Sequence, residues 1–102
     1  MSVIEKTPSE KYTITVDFED RLPTGATVSS GTVGAIDLSN GQSTEDVIGS
    51  TTATVTTTTA AVVLQAGTAN KDYKITFTVT LSNSNILEEV IELRVRESYP
   101  PV

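Results

Sequence analysis

Cysteine, histidine and tryptophan are all absent from this chain of 102 residues. Without cysteine there is no disulfide framework, no thiolate nucleophile and no thiolate metal site. Without histidine the usual general base is gone too, and enzyme chemistry would have to rest on Ser/Thr–Lys pairs or paired carboxylates. Basic residues are scarce: seven Lys and Arg stand against thirteen Asp and Glu, a net charge of −6. Those seven are scattered, which excludes the clustered positive footprint of a nucleic-acid-binding surface. No apolar run approaches membrane-spanning length. Met1 is followed by SVIEKTPSEK, with neither a basic nor an apolar signal region, which predicts no secretory leader and synthesis in the cytoplasm.

What the chain does have is alternation. Tyr73, Ile75, Phe77, Val79 and Leu81 alternate with Lys74, Thr76, Thr78 and Thr80, a period of two that predicts a strand with one buried and one wet face. Ile91, Leu93 and Val95 alternate with Glu92, Arg94 and Arg96 in a second strand, after a polar turn over residues 82–85. Near the N-terminus, Tyr12, Ile14, Val16 and Phe18 face one way and Thr13, Thr15, Asp17 and Glu19 the other. Residues 26–38 read as one long or two short strands whose apolar phase slips, with Gly31 and Gly34 at the slips. Asn40-Gly41 is the strongest short turn signal. Residues 43–50, polar around Val47 and Ile48, read as a loop with a short edge strand.

Seven of the nine residues 51–59 are threonine. Such a tract can be a disordered or glycosylated stalk. Its lack of proline and its β-branched side chains favour a strand instead, leading into Ala60, Val62 and Leu64 on one face and Val63 on the other. Strands every 8–12 residues with turn signals between them and no helical period imply a sandwich or barrel. The expected fold is therefore all-β, an immunoglobulin-like antiparallel β-sandwich of about seven strands. Tyr73, opening the penultimate strand after a corner, stands where such folds often keep a tyrosine corner. The organisation expected is a flexible N-terminal arm over residues 1–10, one β-sandwich over 11–98 and a tail over 99–102.

Candidate chemistry is thin. Asp17, Glu19 and Asp20 form one acidic group, and Glu88, Glu89 and Glu92 another. They could flank a glycosidic bond, but a solvated strand face is the better reading. The first group, or Glu45 and Asp46 with Asp37, could offer oxygens to calcium, though neither has the spacing of an EF-hand loop. Carbohydrate binding wants exposed aromatics, yet Tyr12, Phe18, Tyr73 and Phe77 all take core-facing positions and only Tyr99 is left. Leu22-Pro23-Thr24-Gly25 looks like a fragment of a sortase sorting signal, but it lacks the intervening residue and any apolar tail, and turn chemistry accounts for it. Arg94 and Arg96 could bind phosphate, but read better as outward charges that discourage edge pairing. The expectation is no enzymatic activity, with no catalytic, cofactor-binding or metal residues and no cofactor.

Two long stretches resemble a known family. EKYTITVDFEDRLPTGATVSSGTV is similar to the start of small phage and prophage proteins known as fibre–tail adaptors, with its Y-x-I-x-x-x-F strand, Gly turn and T-V-S-S strand. VVLQAGTANKDYKITFTVTLSNSNILEEVIELRVRE is similar to their close. The chain departs from the pattern at Ala66 and Asn70, where glycines are usual, in SNSN where a Gly-containing hairpin is usual, and in lacking tryptophan. The resemblance implies a non-enzymatic virion structural protein of the tail or tail-fibre region, made in the bacterial cytoplasm. Its implied partners are other tail, head–tail or fibre proteins and further copies of itself, with no nucleic acid, membrane or small-molecule substrate. The alternative is a small immunoglobulin-like carbohydrate-binding or adhesion module.

Overall fold

The computed structural model describes residues 2–97, which form eight strands in two sheets. In chain order these are β1 (Ser2–Lys6), β2 (Tyr12–Asp17), β3 (Val28–Asp37), β4 (Gln42–Ser43), β5 (Thr54–Val55), β6 (Thr59–Leu64), β7 (Lys71–Leu81) and β8 (Ile86–Val95). One sheet has the order β1-β8-β7-β3-β4 and the other β2-β6-β5. Among the described residues the only helix is a single 3-10 turn, Glu19–Arg21, and no helix is long and apolar enough to cross a membrane.

The period-two pattern explains the core. Tyr73, Ile75, Phe77, Val79 and Leu81 are all buried, as are Ile91, Leu93 and Val95 beside them and Ala60, Val62 and Leu64 across the sandwich. Their threonine and charged alternates cover the outer faces, so each strand buries one row of apolar side chains and wets the other. Tyr73 also anchors the β6–β7 corner, where its hydroxyl accepts a hydrogen bond from the Thr68 N–H at 3.0 Å. Asn70 (φ +67°) and Gly67 (φ +96°) supply the left-handed backbone this corner needs, and Ala66 (φ +48°) adopts it without a glycine's freedom.

Two sequence expectations need correcting in detail. The phase of β3 slips once, with its register shift between Val28 and Ser30. No second slip occurs at Gly34: Ile36 turns outward and Asp37 takes the inward place. There the Asp37 carboxylate accepts hydrogen bonds from the Ser39 hydroxyl (2.7 Å) and backbone N–H (2.9 Å) and from Lys71 Nζ (3.2 Å). Gly31 is inward for a packing reason, since a Cβ there would lie 3.2–3.3 Å from side-chain atoms of Val79, Ala53 and Val55.

The second correction concerns the N-terminus. Ser2–Lys6, expected within a flexible arm, forms β1 and pairs parallel to β8, so the sandwich is not wholly antiparallel. Ile4 lies opposite Leu93 and Lys6 opposite Val95, which points both inward. Lys6 is only 2% exposed, and its ammonium donates to the carbonyls of Thr7 (2.7 Å) and Ala66. Backbone carbonyls thus satisfy a charge that would otherwise be costly to bury. Residues 98–102, with Tyr99, Pro100, Pro101 and the expected tail, lie outside the described residues.

Candidate functional site

The two long sides of the sandwich end differently. On one, residues 44–57 run between the sheets and hydrogen-bond to both. Val33 N–H donates to Thr51 O (2.8 Å) and Ala53 N–H to Gly31 O (3.0 Å), which closes the edge of β3. Gly49 N–H donates to Val63 O (2.8 Å) and Gln65 N–H to Val47 O (3.0 Å), which closes the edge of β6. Val47 and Ile48 plug the gap between them and are buried.

Among the described residues the other side has no such cover. Here β1 edges the larger sheet and β2 the smaller one, and each has a single strand neighbour. A cleft of about 300 Å³ opens between them. Its floor is Ile4, Ile14, Val16 and Ile91, and its rim is Thr15, Asp17 and Glu89. One end is closed where the Tyr12 hydroxyl donates to Glu5 O at 3.3 Å. At the other, the Arg21 guanidinium donates to Glu88 O (2.9 Å) and Glu89 Oε1 (3.3 Å) and lies 5.9 Å from the Phe18 ring centroid.

That arrangement brings together much of what the sequence singled out. Asp17 and Glu89 share the cleft. Arg21, at the end of the 3-10 turn that holds Glu19 and Asp20, reaches the Glu89 carboxylate and the Glu88 backbone carbonyl, while the Glu88 side chain is exposed on the outer face. Asp17 Oδ1 accepts the Glu19 N–H at 2.8 Å, holding the start of the 3-10 turn. Glu92 is not part of this group; it lies on the outer face, where Arg94 Nε donates to it at 2.8 Å. Arg96 is paired with Asp72 at 2.9 Å, so neither arginine is offered to a phosphate. Because β1 covers β8, these arginines guard no free edge. Asp37 is taken up by Ser39 and Lys71, away from service with Glu45 and Asp46. Among the described residues no three carboxylates gather closely enough to hold a metal ion.

Leu22-Pro23-Thr24-Gly25 forms the turn before β3, with Ala26 N–H on Pro23 O and Gly25 at φ +83°. Phe18, Tyr73 and Phe77 are buried, and Tyr12 is half-buried against the core. Sequence reasoning missed Lys6 and Arg21. Burial lowers the Lys6 pKa, an effect that nearby Glu10 opposes. A signal for Lys6 existed in its two-residue spacing from Ile4; nothing local marked Arg21, whose partners lie 67 and 68 residues away.

Two sheets packed around one buried apolar core define an all-β sandwich. The family model for the podophage GP4 fiber-tail adaptor protein gp77 matches residues 6–94, and the chain belongs to that family. Membership places it among phage tail structural proteins, components of the virion tail that contact other tail and fibre proteins. No curated protein shows significant similarity to the chain.

Proposed function

We propose that this protein is a non-enzymatic adaptor that joins fibre and tail proteins in a phage particle by surface contact. The observation that carries the reading is the family match over residues 6–94, which takes in all the sandwich except most of β1 and the last residue of β8. The immunoglobulin-like connectivity expected from the sequence draws support from the two strand orders, with β2-β6-β5 facing β1-β8-β7-β3-β4. Several copies act around the tail, each made in the host cytoplasm and ordered by its neighbours on assembly. The protein alone is a monomer or a weak, concentration-dependent oligomer. It needs no nucleic acid, membrane, cofactor or small-molecule substrate. A carbohydrate-binding role finds less support, because three of the aromatic rings that could stack on a sugar are buried.

Deletion of the gene tests this reading. Particles made without it should carry tails that lack fibres, and expression of the intact protein from a plasmid should restore both fibres and infectivity. The protein should also be found in purified particles. Fully fibred, infectious particles from the deletion strain would overturn the adaptor role.

A further inference from the structure

The open side of the sandwich combines three features. Among the described residues it has two strand edges with no strand partner, it has an aliphatic floor between them, and it carries Asp17 and Glu89 at one end. A strand edge with free N–H and C=O groups is a template for pairing, and natural sheets usually blunt such edges. Residues 44–57 blunt one side, and among the described residues nothing covers the edges on the other. The bare side is not polar throughout, since Ile4, Ile14 and Val16 are only partly buried where they line the cleft. Hence an arriving strand would gain both backbone hydrogen bonds and apolar contact, the two components of recognition by strand addition.

Charge decides what kind of strand. At the Arg21 end, Asp17 and Glu89 line the cleft and Glu19 and Asp20 stand in the same 3-10 turn as Arg21, so the segments that meet there carry four carboxylates against one guanidinium. A second copy of this chain meeting the same surface about a two-fold axis would set acid against acid. We infer that the open side between β1 and β2 accepts an extended segment of a different protein, one in which aliphatic residues alternate with lysine or arginine. The segment pairs with the free edge of β2, seats its aliphatic side chains on Ile4, Ile14, Val16 and Ile91, and brings its positive charges to the Asp17–Glu89 rim. This inference rests on the adaptor reading for where the partner is met, and it gives that reading a specific docking surface.

The test uses the whole protein, isotope-labelled for nuclear magnetic resonance, and two synthetic peptides, acetyl-TVKIKVT-amide and its counterpart with glutamate in place of both lysines. The lysine peptide should give saturable shifts confined to the amides of β2, β1 and the Arg21 turn, and the glutamate peptide should bind at least several-fold more weakly. The double variant D17N/E89Q keeps size and shape while removing two rim charges. It should retain the unbound spectrum outside the rim and weaken the lysine peptide by roughly threefold to tenfold. Shifts centred instead on the outer face around Thr54 and Val63, equal binding of both peptides, or no saturable shift would overturn the inference. So would concentration-dependent shifts on the open side without peptide, which would assign it to a second copy. These outcomes are separate from the gene-deletion result. Peptide failure beside fibreless deletion particles would remove the groove and leave the adaptor. Peptide binding beside normal deletion particles would do the reverse.

Discussion

The two sides of this sandwich carry the same kind of problem and solve it in opposite ways. On the closed side, a segment with little regular structure saturates two strand edges and drives Val47 to 0% exposure. On the open side, two regular strands leave their edges unpaired among the described residues, and Ile4, Ile14 and Val16 are only partly buried. Regularity is therefore a poor guide to where the molecule is finished. The irregular Thr-rich stretch completes the fold, whereas the tidy strand β2 leaves part of it available. An available edge persists only where it is managed, and here acidic residues and the Tyr12 and Arg21 bridges limit what can reach it.

Several substitutions would break or sharpen that contrast. The middle of the sandwich sets the scale: Phe77→Ala, at a fully buried position, should cost about 3–5 kcal/mol in denaturant unfolding. Thr76→Ala, its outward neighbour, should cost about 0.5 kcal/mol or less. Next comes the direct comparison of sides. Val47→Ala should cost about 2 kcal/mol, since it removes two packed methyl groups, while Val16→Ala, half-buried in the cleft, should cost only about 1 kcal/mol or less. Equal losses at Val47 and Val16 would mean the two sides are equally closed.

A smaller effect of opposite sign tests the corner next to Val47. Ala66 holds φ +48° where the family pattern has glycine, so Ala66→Gly should relieve backbone strain and stabilise by about 0.5–1 kcal/mol. Acid should probe the β3–β4 end. Hydrogen bonds from the Ser39 hydroxyl and N–H, then the Lys71 ammonium, hold the Asp37 carboxyl below its ordinary pKa. The folded protein therefore keeps this group charged at pH values where the unfolded chain protonates it. Its contribution is present at neutral pH and is lost as pH falls through the ordinary carboxylate range and below. Melting curves of Asp37→Asn should accordingly fall less steeply over that acidic range than those of the unsubstituted protein.

Much of the fold was legible because most strands bury one face only. Alternation found β2, β6, β7 and β8 and assigned their inward residues, and Asn40-Gly41 marked the β3–β4 hairpin, where Gly41 sits at φ +71°. What stayed hidden had physical causes. β1 was easily missed because its short alternation from Ile4 continues at a lysine, Lys6, whose burial depends on a carbonyl of Ala66 sixty residues away. Val47 and Ile48 looked like a pair of apolar residues in a loop, since no period marks a segment that bonds to two sheets by turns. Asp17 and Glu89 were visible as acidic residues, but their meeting across the cleft depends on how β2 and β8 face each other. Local pattern thus reported which residues are inside, and could not report which edges are finished.

The central claim is that the β1–β2 side is where this protein meets its partner and the 44–57 side is not. Hydrogen–deuterium exchange, read on the free protein and on the protein in purified particles, tests this most directly. The account predicts that assembly slows exchange over Ser2–Lys6 and Tyr12–Asp17 and leaves residues 44–57 unchanged. Slowed exchange over 44–57 with none at β1 and β2 would contradict it.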